Sequence, residues 1–291
     1  RCNIMVKMII FIVAYIVLAP FVGGFLAGLD RIISARMQGR VGPPVLQPFY
    51  DVLKLFEKEK ITVNKVQDFY VACFLLFVVV TGCFFFAGGD LLLVLFTLTT
   101  ASAFLIIAAY SSNSPYAQLG AERELLQTMA YEPMVLLTAV AFYVFTGSFK
   151  VSDIMNSESM GILPMLGIFI GFMYILTIKF RKAPFDLSMS HHAHQELVAG
   201  LKTEFSGTTL AMLEVAHWYE NIFLLGFIFL FFQNGSIAGV IIGIVVAIIA
   251  FFFETFIGNS FARMKWQVAF KSAWIVAAVL GIINLFLLYF I

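Results

Sequence analysis

Apolar residues run along this chain in long blocks separated by polar stretches, and the blocks set the first expectation. A helix rises 1.5 Å per residue, so about 20 apolar residues cross the hydrocarbon of a bilayer. Blocks near that length predict eight spans, at residues 4–27, 69–87, 91–110, 126–146, 163–178, 210–232, 237–257 and 272–291. The fourth and sixth are interrupted by polar residues, which leaves their ends open by several positions. The expected fold class is an all-α integral membrane protein, a single polytopic domain over residues 1–291 without a soluble domain or internal repeat. The first block continues to spanning length, so it does not read as a short cleavable leader.

The connections divide sharply by charge. Residues 28–68, 111–125, 179–209 and 258–271 hold 15 of the 18 Lys and Arg residues. Basic loops stay in the cytoplasm, so these four are expected inside and both termini outside the cytoplasmic (inner) membrane. The outer connections are short, whereas the inner ones are long and chemically rich, which suggests docking of a cytoplasmic partner. In the first inner loop Pro48 suits the first turn of a helix. Phe49, Val52, Leu53 and Phe56 then recur at helical spacing, which predicts an amphipathic helix lying at the surface.

Composition reinforces the bilayer and narrows the chemistry. The chain has 291 residues, 62% apolar and 12% charged, where a soluble domain has about 25% charged. A net charge of +1 gives nucleic acid no electrostatic purchase. Cys2, Cys73 and Cys83 are too scattered for an iron–sulfur cluster, and they read as small buried hydrophobes. No cofactor is therefore expected in this chain.

Polar residues inside the apolar blocks carry the functional signal. Glu132 lies in the fourth span beside Pro133, whose missing N–H frees the carbonyl of Met129. A carboxylate at that depth must face protein or water; a pair with Arg123 is the structural alternative to an ion path. In the sixth span Glu214, His217 and Asn221 share a face at 100° per residue, while Glu220 falls well round the helix. Glu254 adds an acid near the end of the seventh. The third inner loop carries Asp186, His191, His192, His194, Glu196 and Glu204. The H-H-x-H spacing matches no standard zinc set and no thiolate is near, so proton relay or partner contact suits these histidines better.

Three loops also carry motifs. Gln38-x-Arg-x-Gly-Pro, Leu46-Gln-Pro-x-x-Asp-x-x-Lys-Leu55 and Glu57-Lys-Glu59 lie in the first. Ser112-Asn-Ser-x-Tyr-Ala-x-Leu-Gly-Ala-x-Arg123 and Gln127-x-x-x-Tyr-Glu132 run from the second into the fourth span. Ala183-Pro-Phe-Asp186, Glu196-Leu-Val-Ala-Gly200 and Glu204-Phe-Ser-Gly207 lie in the third. In this order they resemble the complex I membrane subunit that joins the peripheral and membrane arms, the respiratory-chain NADH dehydrogenase subunit 1 family. Two departures point within it: the first loop is shortened at Gly42-Pro-Pro-Val-Leu-Gln-Pro48, and Ser190-His-His-Ala-His-Gln195 replaces an acidic segment. Both resemble the Ech-type (group 4) energy-converting NiFe hydrogenases. Formate hydrogenlyase relatives share the short first loop but lack the histidine run.

The resemblance implies a coupling subunit of a ferredoxin-dependent complex, in which proton reduction to hydrogen drives H⁺ or Na⁺ movement. It implies an ion path through Glu132, Asp186, Glu196 and Glu204, to which the sixth-span pattern adds Glu214 and His217. Arg36, Arg40 and Asp51 match the family's docking loop, with Arg123, His191, His192 and His194 as further docking candidates. The implied partners are the NiFe hydrogenase large and small subunits, a ferredoxin-like iron–sulfur subunit and an antiporter-like membrane subunit; the NiFe centre and 4Fe–4S clusters would sit in those partners. A quinone-site subunit of a complex I-like enzyme, a stand-alone ion transporter and a purely structural anchor are the competing readings. The short first loop argues against the first, the meagre outer loops against the second, and the buried acids against the third.

Overall fold

The structure, a computed structural model, describes residues 2–61, 64–157, 159–190 and 197–290. Ten helices account for most of these residues: α1 (Cys2–Met37), α2 (Gln47–Glu57), α3 (Lys65–Phe86), α4 (Leu91–Tyr110), α5 (Pro115–Thr146), α6 (Val151–Met155), α7 (Leu166–Lys179), α8 (Gly207–Leu230), α9 (Ile237–Ser260) and α10 (Trp266–Phe290). Among the described residues seven helices are long and apolar enough to cross a membrane, namely α1, α3, α4, α5, α8, α9 and α10. The eighth expected span, at 163–178, is the 14-residue helix α7, only about 21 Å long at 1.5 Å per residue. Gly161 and Pro164 precede it, and proline has no N–H to extend the helix backwards. The bundle is thus a multi-pass membrane protein of seven long helices and one short one.

Several helices run beyond the hydrophobic blocks. α1 continues to Met37 rather than ending near residue 27, because its polar last turns find partners. Lys182 donates to Asp30, Arg31 donates to Asp51 at 2.6 Å, and Asn259 donates to the Ser34 hydroxyl at 2.9 Å. α5 begins at Pro115, so most of the segment expected as a loop at 111–125 is helical. Its charged residues Arg123 and Glu124 are buried rather than solvated, and Glu124 meets Arg181 and Ser188 of the third loop. The expected loop at 258–271 shrinks to residues 261–265 between α9 and α10.

α8 stands at the centre, packed on α1, α2, α3 and α9, while α5 packs on α4, α7 and α10. The larger core joins α5, α7, α8, α9 and α10 through interleaved phenyl rings; Phe172 and Phe227 stack at 4.9 Å, and Phe142 meets Phe231 at 4.8 Å. A second core joins α1, α3, α4 and α8 around Phe74 and Leu105. At the end of the bundle away from the long loops, residues 88–91 pair with 149–152: the Leu91 N–H donates to Phe149 at 2.8 Å and that of Val151 to Gly89 at 2.9 Å. The expected amphipathic helix is α2, with Pro48 in its first turn. Val52 packs on Ala211 and Trp218, but Leu53 and Phe56 point outward, 59% and 50% exposed.

Close backbone approach fixes how α1 meets this surface helix. A Cβ on Gly24 would strike the Phe49 ring, and one on Gly28 would strike the Val45 carbonyl. Gly28→Val should therefore lift the segment before α2 off α1, at a cost of about 1–3 kcal/mol. The expected readout is a lower Tm of the detergent-solubilised protein. An unchanged Tm would mean that this approach contributes nothing to stability.

Candidate ion-coupling site

The third loop leaves the membrane by turning back on itself. α7 ends at Lys179, and two residues later Arg181 takes a left-handed backbone conformation, φ 51°. That region costs a non-glycine residue about 1–2 kcal/mol, so the neighbouring contacts must hold it. The guanidinium donates to Glu124 of α5 at 2.7 Å and to Glu220 of α8 at 3.4 Å. Lys179 donates to the other oxygen of Glu220 at 3.2 Å, and the Ser188 hydroxyl donates to the second oxygen of Glu124. Two cations and two carboxylates are thus buried together with no net charge. Burial alone disfavours the charged form of Arg181, but Glu124 and Glu220 outweigh it and raise its proton affinity above the usual arginine value.

The rest of the loop is pinned around this cluster. Gln127 donates to the Phe185 carbonyl at 2.8 Å, and the Met264 N–H donates to Pro184 at 3.1 Å. Lys182 bridges Asp30 of α1 and Thr255 of α9. The motif segment 181–188 therefore touches α1, α5, α8 and α9 within a few residues. Movement of this loop cannot leave the spans undisturbed.

Two cavities meet at Lys179. One, of about 290 Å³, is polar, with Asp30, Arg31, Asp186, Glu214, His217 and Asn221 among its walls. The other, of about 110 Å³, is almost wholly apolar and lies between α4, α5, α7 and α8; Glu132 is the one acid in its walls. Lys179 lines both. A third cavity, of about 470 Å³, lies between α7 and α9 over Glu254, which is fully buried with neither carboxyl oxygen hydrogen-bonded.

The residues expected from sequence distribute unevenly over this layout. Glu214, His217 and Asn221 share the polar cavity, as their helical spacing requires. Glu214 accepts from Lys202 at 2.6 Å, Asp186 lies 3.6 Å from Arg263, and the buried Nε2 of His217 has no hydrogen-bond partner. Glu132 is half-buried in the apolar cavity and takes part in no ion pair among the described residues, so the alternative pairing with Arg123 is not formed. Arg123 itself is buried. Glu204 is partly exposed in the loop and outside both cavities. Arg36 is exposed in the last turn of α1 and Arg40 just past its end, Arg40 donating to Gln38. Slight burial works against the charged form of Asp51, but hydrogen bonds from Arg31 and Gln47 hold its carboxyl below the usual range. His191, His192, His194 and Glu196 lie outside the described residues.

The centre of the site was not among the expected residues. Glu124, Lys179, Arg181 and Glu220 looked like loop charges or like a residue facing the wrong way. One signal was available: Glu220 sits in an apolar span off the polar face, and a buried acid there requires its own cation.

The bundle is an all-α membrane protein with loop charges buried against its spans, and its relatives show the class to which it belongs. The family model described as NADH dehydrogenase matches residues 7–289; the chain belongs to the NADH dehydrogenase subunit 1 family. It is 28% identical over 294 residues to a subunit of the NADH-quinone oxidoreductase of Rhodospirillum rubrum, covering 89% of this chain and 86% of that one. It is 26% identical over 293 residues to Hydrogenase-4 component C of Escherichia coli, covering 92% of each. Among solved structures, a chain of the membrane-bound sulfane sulfur reductase, an archaeal respiratory membrane complex, superposes with a TM-score of 0.82 at 27% identity over 97% of this chain and 99% of that one.

The buried cluster makes a direct prediction. Arg181→Met strands the carboxylate of Glu124 and should cost about 3–5 kcal/mol, as loss of one partner from a buried pair does. Adding Glu124→Gln removes one stranded charge and should recover part of that loss. Thermal unfolding of the purified variants reads both, and a single variant as stable as wild type would show the cluster to be energetically idle.

Proposed function

We propose that this chain is the membrane-embedded coupling subunit of a ferredoxin-dependent, Ech-type energy-converting NiFe hydrogenase. The observation that carries the coupling role is the neutral four-charge cluster joining the third loop to α5, α7 and α8. A docked redox subunit that shifts this loop alters the charge balance inside the spans, where low dielectric makes each displacement costly. The docked partners are the NiFe large and small subunits, with the ferredoxin-like iron–sulfur subunit beyond them; an antiporter-like subunit packs beside the bundle in the membrane. The NiFe centre and 4Fe–4S clusters belong to those partners. Ferredoxin oxidation with proton reduction to hydrogen then drives H⁺ or Na⁺ outward through Glu132, Asp186, Glu196, Glu204, Glu214 and His217. End-to-end similarity to Hydrogenase-4 component C and the shortened first loop favour hydrogen as the product.

The whole-chain likeness to the sulfane sulfur reductase favours a second reading, in which the docked subunit reduces sulfane sulfur on the same membrane frame. Purification of the native complex separates the two. The hydrogenase reading predicts nickel bound stoichiometrically and hydrogen evolved from reduced ferredoxin. Absence of nickel, with ferredoxin-driven reduction of sulfane sulfur or quinone, would replace it.

Sidedness is tested separately. The loops holding 15 of the 18 Lys and Arg residues are proposed to face the cytoplasm. A cysteine at exposed Lys58 should then react with an impermeant maleimide only from the cytoplasmic side, and one at exposed Ser159 only from outside. The opposite pattern would invert the topology.

A further inference from the structure

We propose that Lys179 is a mobile cation shared between Glu220 and Glu132, and that its transfer from one to the other is the step that moves charge in the membrane. The inference deepens the coupling role and rests on it.

Four observations place the switch at this residue. Lys179 is the last residue of α7 and lines both the polar cavity and the apolar cavity holding Glu132. Its ammonium sits 4.3 Å from the centroid of the Tyr131 ring, and Tyr131 immediately precedes Glu132. Glu220 binds Lys179 and Arg181 at 3.2 and 3.4 Å, both longer than the 2.7 Å contact between Arg181 and Glu124. Glu132 makes no ion pair among the described residues although it faces a largely apolar space.

Physical chemistry connects them. When the ammonium leaves Glu220, Arg181 still contacts that carboxylate, and the cluster is left with one net negative charge. At Glu132 the ammonium meets a carboxylate between apolar walls, where low dielectric strengthens the pair. The Tyr131 face, on which the ammonium already rests, belongs to the residue next to Glu132. The apolar cavity, about 110 Å³, has room for an ammonium group and a few waters, each water occupying about 30 Å³. Lysine suits the task because its compact charge rides on a flexible four-carbon stem, whereas arginine's planar fork is held by its own geometry. The ammonium keeps its protons and one positive charge changes position. Where Glu132 carries a proton, its O–H bond breaks as the ammonium arrives and the proton passes to water, whereas Na⁺ simply leaves. Arg181 follows two residues later on the same turn, so a loop movement that presses it onto Glu220 drives Lys179 towards Glu132. An H⁺ or Na⁺ carried by Glu132 is displaced by the arriving ammonium.

The test uses the intact complex in vesicles, with ion uptake and electron transfer measured together. Lys179→Met and Glu132→Gln should each assemble, turn over electrons and lose ion uptake per electron several-fold. The double variant should be no worse than the worse single one, because both remove one step. Lys179→Arg keeps the charge and the fold but should still fall well short of the wild-type ratio. Additive losses, or a wild-type ratio in both Lys179 variants, would make Lys179 a static counter-ion and overturn the switch. A second measurement does not depend on pumping. A membrane-permeant carbodiimide activates a carboxyl and joins it to a touching amine as an amide, with release of the urea. Mass spectrometry should find Lys179 joined to Glu220 and, in a separate population, to Glu132. The Glu220 product alone would overturn the switch even in a complex that pumps. Both products in a complex that makes no gradient would keep the switch and reject the coupling role.

Discussion

Neither Glu124 nor Glu220 can sit where it does without a cation, because taking a carboxylate out of water costs several kcal/mol unless a partner and hydrogen bonds replace the hydration shell. Both acids lie on membrane-spanning helices and both are reached by one side chain, Arg181, on a loop. Arg181 takes a left-handed conformation at the head of the 181–188 segment, and its guanidinium holds that segment against α5 and α8. Lys182, Gln127 and Ser188 then fasten the same segment to α1, α5 and α9. The fold is therefore tied together electrostatically at the third loop.

That arrangement gives the membrane subunit of an oxidoreductase a way to respond to the rest of its complex. An electrically neutral buried cluster is stable only at one balance of charges, and shifting one member changes the preferred state of the others. The polar cavity opens on one side of the cluster and the cavity of Glu132 lies on the other, with Lys179 between them. The short α7 contributes to this geometry, since its end places Lys179 beside Glu220 with Arg181 just beyond.

Hydropathy carried the class of fold, because a bilayer demands long apolar helices wherever the chain crosses it. It lost helix ends wherever polar residues are buried by tertiary contacts: residues 115–125 read as loop because Glu122, Arg123 and Glu124 are charged, yet the last two face protein. Within the site, the face shared by Glu214, His217 and Asn221 was legible because helical periodicity is local. The pairing of Lys179 with Glu220 was not, since it joins residues 41 positions apart through a turn that no periodicity encodes. Glu132 was visible as an acid in an apolar span, but whether it paired with Arg123 depended on tertiary packing that local spacing does not encode.

Arg181 couples the loop to the spans by holding two carboxylates at once, and everything proposed for this chain turns on that double grip. Arg181→Lys keeps the charge but replaces a planar fork with a single ammonium that cannot bridge Glu124 and Glu220 in the same way. The decisive measurement is ion uptake per electron transferred in vesicles containing the assembled variant complex. Electron transfer should continue while the ratio falls several-fold; an Arg181→Lys complex that pumps at the wild-type ratio would contradict the coupling role of Arg181.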